Sequence, residues 1–284
     1  MSSRRNFIQK TAMGLAGSAA LPLLGKAALG IDGKNAGTAA AQPLSVGVAG
    51  YTFAKFDVDQ SIAMMKRIGV MNLSVKDIHL PVNSSDAKIK EVMDKYKAAG
   101  INVYTVGVIY MRTKEAVEQA FQYAKKVGVN MIVGVPNYEL VDYSEEQVKA
   151  HDIRLAIHNH GPEDKLYPGP KDVYDHIKNR DPRMGLCIDI GHATRAGYQP
   201  EKAVKDFKDR LFDLHIKDVS LAAKDGKAIE IGRGAINFPA LVESLRKIKY
   251  QGMCSIEFEK DMTDPLPGIA ESIGYFKGVV AAEA

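Results

Sequence analysis

Four segments in the second half of the chain carry side chains that bind metals and move protons, and they carry them at alternate positions. They are Leu155-Ala156-Ile157-His158-Asn159-His160, Leu186-Cys187-Ile188-Asp189-Ile190-Gly191-His192, Leu211-Phe212-Asp213-Leu214-His215-Ile216-Lys217-Asp218 and Ser255-Ile256-Glu257-Phe258-Glu259. Residues two apart on a strand face the same way. Ala156, His158 and His160 therefore share a face, Asp189 stands above Cys187, Asp213, His215 and Lys217 line up, and Glu257 faces with Glu259. Any one of these alone reads as a satisfied polar residue, but four consecutive strands each bringing a metal-capable group to one end are hard to explain that way. His158, Asp189, His215 and Glu257 are the candidate metal ligands. Two imidazoles with two carboxylates suit one divalent ion of borderline softness, Mn²⁺ or Zn²⁺ foremost, with Co²⁺ and Fe²⁺ as alternatives. Open coordination positions would accept a substrate's vicinal oxygens.

For these groups to meet, their strands must be neighbours with a common C-terminal end. Strand-like apolar runs occupy 44–53, 70–80, 101–111, 129–137, 153–161, 184–192, 211–219 and 253–259, with helical patterns such as 58–68, 113–127 and 238–249 between them. Gly69, Gly100 and Gly128 each precede a β-rich run, where a helix C-cap is expected. Eight strand–helix units predict an α/β chain folded as one (β/α)₈ TIM barrel over 42–284, with its site at the C-terminal ends of the strands. No Gly-rich dinucleotide fingerprint follows the first strand, which disfavours an open doubly wound sheet. Between 137 and 153 there is room only for a short helix, around 144–150.

Ser3-Arg4-Arg5-Asn6-Phe7 precedes an Ala/Gly/Leu-rich run from 11 to 24 and has the form of a twin-arginine export signal. Residues 1–41 are thus expected to be signal and linker, with Ala39-Ala40-Ala41 as cleavage site and a periplasmic or otherwise exported product that is not membrane-inserted. Those residues hold five Lys/Arg and one Asp, so the rest of the chain balances at 33 basic and 33 acidic side chains. The formal charge of +4 belongs to the signal and implies no nucleic-acid-binding surface. Cys187 and Cys254 alternate to opposite faces of their strands, which argues against a disulfide between them.

The stretch Ile231-Gly232-Arg233-Gly234-Ala235-Ile236-Asn237-Phe238, continuing through Lys249-Tyr250-Gln251-Gly252 to Ser255-Ile256-Glu257, resembles the xylose-isomerase-like barrels, the sugar phosphate isomerases/epimerases. It matches their Gly-x-Gly loop, seventh helix and last strand. Asp189-Ile190-Gly191-His192 and Leu214-His215-Ile216-Lys217-Asp218 are similar to the family's sixth and seventh strand motifs. The resemblance covers about residues 44–280 and is nearest an exported, Bacteroidetes-type branch. It implies metal ligands Glu, Asp, His and Glu from strands five to eight, which fall here on His158, Asp189, His215 and Glu257. His158 stands where the family has Glu. Of the two glutamates that exchange a proton from opposite faces of the sugar in family epimerases, Glu257 alone is present.

The resemblance places His160 and His192 as substrate-binding groups or supports of a ligand. Lys217 is a candidate to polarise a carbonyl or move a proton should desolvation lower its pKa, or else an ion-pair partner of Glu259. Lys76 and His79 close the second strand within reach of a sugar, and Arg233 is a candidate clamp on substrate oxygens or a solvated loop cation. The expected function is a metal-dependent, isomerase/epimerase-like enzyme that abstracts the proton alpha to a carbonyl of a free sugar or glycoside, the ion stabilising the enediolate oxygens. Glu257 is the expected base, with Lys217 or His160 handling the second transfer. A 3-keto-glycoside lyase or hydrolase working by β-elimination is an alternative, and so is a non-catalytic carbohydrate-binding subunit. The apurinic-site DNA endonucleases share the barrel, but seven histidines, a neutral mature chain and an export signal argue against that reading. The expected partner is a carbohydrate, with no nucleic acid, and the resemblance allows a homodimer.

Overall fold

Near-continuous apolar runs bury on both faces, as parallel strands under helices must. In the computed structural model, which describes residues 44–283, these runs become β1 (Ser45–Ala49), β2 (Asn72–Val75), β3 (Asn102–Met111), β4 (Met131–Pro136), β5 (Arg154–His158), β6 (Met184–Asp189), β7 (Leu211–Ile216) and, after a small antiparallel hairpin of β8 (Asp218–Val219) and β9 (Ala228–Ile229), β10 (Met253–Ile256). The eight parallel strands close into a barrel in the order β1-β10-β7-β6-β5-β4-β3-β2. The helices are α1 (Val58–Ile68), α2 (Asp86–Ala98), α3 (Lys114–Val127), α4 (Val141–His151), α5 (Pro170–Ile177), α6 (Ile190–Arg195), α7 (Pro200–Asp206), α8 (Phe238–Lys247) and α9 (Leu266–Ala282). The expected (β/α)₈ barrel is the fold of the described residues. The export signal and cleavage site expected within 1–41 lie outside them. Among the described residues no helix is long and apolar enough to cross a membrane.

Local chemistry sets the element ends. Asp57 and Gln60 form a reciprocal capping box at the start of α1, and Gly69 ends it in the left-handed conformation at φ 64°. In α3 the buried residues Val117, Ala120, Phe121 and Ala124 recur at helical spacing against the barrel, between a Thr113 cap and Gly128 at φ 85°. β3 passes close to β4 at Gly107, where a Cβ would meet the Val133 carbonyl oxygen at 2.2 Å. The barrel closes by pairing Ser45–Val48 with Met253–Ile256. At its rim the Thr52 hydroxyl donates to the Ile256 carbonyl (3.3 Å) and accepts from the Phe258 amide (3.0 Å). That clasp brackets Glu257 and fixes where it emerges.

Three details depart from the sequence reading. The fourth helix is not short: α4 runs eleven residues behind a 3₁₀ turn at Tyr138–Leu140. Only Val141, Ser144 and Val148 are buried along it, too sparse a stripe to reveal its length. The sixth strand stops at Asp189, because that carboxylate accepts the His192 amide at 2.7 Å and starts α6 at once, so His192 stands on a helix. The seventh strand ends at Ile216, and Asp218 belongs to the β8–β9 hairpin. Cys187 and Cys254 are buried free thiols.

Candidate active site

The ends of β5, β6 and β7 and the residue after β10 deliver His158, Asp189, His215 and Glu257 to one place, each 5% exposed or less. His158 Nε2 lies 3.0 Å from His215 Nδ1 and 3.6 Å from Asp189 Oδ2, and His215 Nδ1 lies 3.3 Å from Glu257 Oε2. One ligand atom from each falls within 4.8 Å of all the others. Two ligands of one ion at bond lengths of about 2.0–2.2 Å can be no more than about 4.4 Å apart, so the set needs only small movement to enclose a cation. His158 Nδ1 and His215 Nε2 are buried without a hydrogen-bond partner. Unpaired buried polar atoms are costly, and a donor set of this chemistry fits a divalent ion.

Lys217 sits among the same carboxylates, its ammonium 3.1 Å from Asp189, 2.9 Å from Glu257 and 3.0 Å from Glu259. Gly191 makes room for its stem, since a Cβ there would lie 2.2 Å from Lys217 Cγ. Burial is the largest influence on the amine and works to lower its pKa, but Asp189, Glu257 and Glu259 outweigh it and hold the group well above 10.5. The expected choice between a desolvated amine and an ion pair therefore resolves as a buried ammonium shared by three carboxylates. Burial also pushes Glu257 up, yet Lys217 and His215 hold it well below the usual carboxylate range. Of the three acids Glu259 is the one raised, by burial and by the charges of Glu257 and Asp189, against the lowering effect of Lys217.

Above this cluster opens a cavity of about 410 Å³. His158, His160, His192 and Glu257 line it, as do Lys76 and Glu259. Burial lowers the pKa of His160, and that of His192 to about 4, so both imidazoles are neutral near pH 7. His160 stacks on Tyr110 with centroids 5.4 Å apart, its Nε2 3.0 Å from the Tyr110 hydroxyl. Lys76 reaches the wall but is engaged, donating to the Val108 carbonyl (2.7 Å) and pairing with Asp77 (2.7 Å). Asp213 is buried beneath His215 instead, where the Tyr104 hydroxyl donates to it at 2.9 Å and burial pushes its carboxyl up to about 7.

Two expected sugar contacts are not in the cavity. His79 is buried against α1, its Nε2 3.1 Å from the Phe53 carbonyl and 3.3 Å from the Ser61 hydroxyl, because the chain turns at Lys76–His79 after β2 ends. Arg233 projects outward and donates to Glu271 at 2.8 Å. The loop carrying it is held from within by Asp218, whose carboxylate accepts the amides of Val219, Gly232, Gly234 and Ile236. Tyr51, Asp77, Ile78, Val108 and Tyr110 also line the cavity and were not anticipated. The register of β3 shifts between Val106 and Ile109, which breaks its alternation and hides Val108 and Tyr110 from a reading by strand parity. Asn159 was missed as well: it ties β5 to β6, donating to the Asp189 carbonyl (3.1 Å) and accepting its amide (3.0 Å).

A closed parallel barrel with its reactive side chains gathered at the C-terminal rim defines this chain as a (β/α)₈ barrel protein. It belongs to the xylose isomerase-like TIM barrel family, whose sequence model matches residues 62–279. An uncharacterised protein of Parabacteroides distasonis is similar at 25% identity and TM-score 0.65, over 83% of this chain and 98% of that one. The apo 3-keto-D-glucoside 4-epimerase YcjR of E. coli shares the fold at 17% identity and TM-score 0.68, over 83% of this chain and 99% of that one. The rhizopine catabolism protein MocC of Rhizobium meliloti is 25% identical over 152 residues, 48% of this chain and 46% of that protein. The chain spans less than half the length of the curated relatives it matches.

Proposed function

We propose that this chain is a metal-dependent enzyme of the sugar isomerase/epimerase type, acting on the proton beside a carbonyl of a sugar or glycoside outside the cytoplasm. The observation that carries the reading is the convergence of His158, Asp189, His215 and Glu257, two of which, His158 and Glu257, also line one cavity. His158, Asp189, His215 and Glu257 would hold the ion, which when bound supplies Lewis-acid polarisation of a carbonyl and a neighbouring hydroxyl.

Glu257 reaches the cavity as a carboxylate and serves as the base that takes the proton from carbon. Lys217, a buried ammonium among Asp189, Glu257 and Glu259, serves to hold Glu257 ionised rather than to take the proton itself. His160, neutral and lining the same cavity, gives or takes the second proton. Return of a proton to carbon completes an isomerisation or epimerisation. Where the carbon next to the carbanion bears an alkoxy group, the C–O bond breaks instead, the electron pair leaves with oxygen, and protonation of that oxygen completes a β-elimination. The single glutamate facing His158 in the metal set favours keeping that lyase reading as the second one.

Exchange of the proton beside the carbonyl of keto-sugars and keto-glycosides, followed by NMR in D₂O, tests the proposal. His160→Gln is expected to slow exchange by about 10²–10³-fold while keeping the protein's metal content. Exchange at the parent rate in that variant removes His160 from the mechanism. Metal binding with no exchange on any such sugar favours a carbohydrate-binding subunit.

A further inference from the structure

The cavity has two unlike sides. β5, the start of α6 and the residues after β10 supply His158, His160, His192, Glu257 and Glu259, whereas the contiguous strands β1, β2 and β3 and the residues that follow them supply Tyr51, Ile78 and Tyr110 beside the paired Lys76 and Asp77. The large hydrophobic side chains left exposed among the described residues are Tyr51, Ile78, Tyr110, Tyr138, Leu221 and Tyr275, and three of these six line this one cavity. Their exposures of 37%, 47% and 47% contrast with 1% for His158 and 5% for Glu257 on the opposite side.

Exposed apolar groups gathered in a concave site mark a binding surface rather than chance. Tyr110 is held by His160, which contacts its hydroxyl and stacks on its ring, and the Arg112 guanidinium lies 5.5 Å from the ring centroid. The polar groups on this side are occupied, since Lys76 is turned to Asp77 and the Val108 carbonyl. A free monosaccharide gripped by the ionisable half would leave Tyr51 and Ile78 in water. A substituent with a flat apolar face would cover them and gain from their burial.

We propose that the β1–β3 side is an aglycone subsite formed by Tyr51, Ile78 and Tyr110, so that the substrate is a glycoside whose aglycone presents a flat apolar face, either an aryl ring or the C–H face of a second sugar. This rests on the sugar-handling reading of the opposite side.

Calorimetric titration of the metal-reconstituted protein with the methyl, phenyl and glucosyl β-glycosides of 3-keto-glucose tests it. The phenyl or the glucosyl compound is expected to bind about tenfold tighter than the methyl one, and which of the two does so identifies the kind of aglycone. In Tyr51→Ala, Ile78→Ala and the double variant, all altered at exposed side chains, that advantage should shrink toward unity while methyl-glycoside affinity holds. Comparable affinities for all three glycosides, an advantage that survives the double variant, or no binding of either larger glycoside overturns the subsite. Proton exchange on the methyl glycoside is read separately. Exchange without aglycone preference sinks the subsite alone, whereas preference without exchange sinks the catalytic reading and leaves the subsite standing.

Discussion

At the scale of single residues, the Lys217 ammonium lies within 3.1 Å of Asp189, Glu257 and Glu259 at a depth where it is only 3% exposed. Two of those carboxylates belong to the candidate metal set, so lysine and ion draw on the same negative charge. Removing one partner of a buried ionic group leaves the others uncompensated, at a cost of about 3–5 kcal/mol. Lys217→Met is therefore expected to destabilise the metal-free protein by about that amount, with Zn²⁺ or Mn²⁺ restoring much of the loss. Thermal unfolding with and without added ion measures both, and an unchanged metal-free melting temperature contradicts the assignment. The inward direction of Lys217 was legible in the alternation along its strand. Its charge state was not, because that depends on three acids from two other strands meeting it. His79 and Arg233 show the converse: both are residue types that serve active sites, and only packing reveals one pinned to the Phe53 carbonyl and the other paired with Glu271.

At the scale of elements, the Gly232–Gly234 loop owes its shape to Asp218 rather than to the arginine it displays. Four backbone amides converge on that one buried carboxylate. Asp218→Ala strands them and is expected to cost about 3 kcal/mol, whereas Arg233→Ala, which breaks an exposed ion pair, should change stability by no more than about 0.5 kcal/mol. Denaturant titration of the two variants separates the roles, and equal losses would put the loop's anchor at Arg233 after all. The eight strands were legible because parallel strands buried on both faces leave unbroken apolar runs, as in Met131–Pro136 and Met184–Asp189. Helix α4 was underestimated for the opposite reason, its buried face being three residues. The turn from β6 into α6 was hidden because the residue that ends the strand, Asp189, is also the cap that starts the helix.

At the scale of the whole molecule, stability and function both depend on what the barrel excludes from water. His79 is held below its usual 6.5 mainly by burial, against the raising effect of the Phe53 carbonyl. The unfolded chain takes up that proton near pH 6.5 and the folded chain only at lower pH, so stability is intact above 6.5 and declines as pH falls toward the folded value. Unfolding free energy measured between pH 7.5 and pH 5.5 should fall more steeply in the parent than in His79→Gln, by up to about one proton's worth. Identical slopes would mean that the imidazole titrates normally in the fold. The two-sided cavity belongs to this scale too. Its ionisable half announced itself through residue type, while Tyr51 and Ile78 carry no chemical signal in the sequence beyond following strands one and two.

The central claim is the metal centre, and elemental analysis of the purified chain from Gln42 onward, beside His158→Ala and Asp189→Ala, tests it most directly. The account predicts about one divalent ion per parent chain and its loss from both variants. A parent that holds no metal, even after reconstitution with Mn²⁺, Co²⁺ or Zn²⁺, would contradict it.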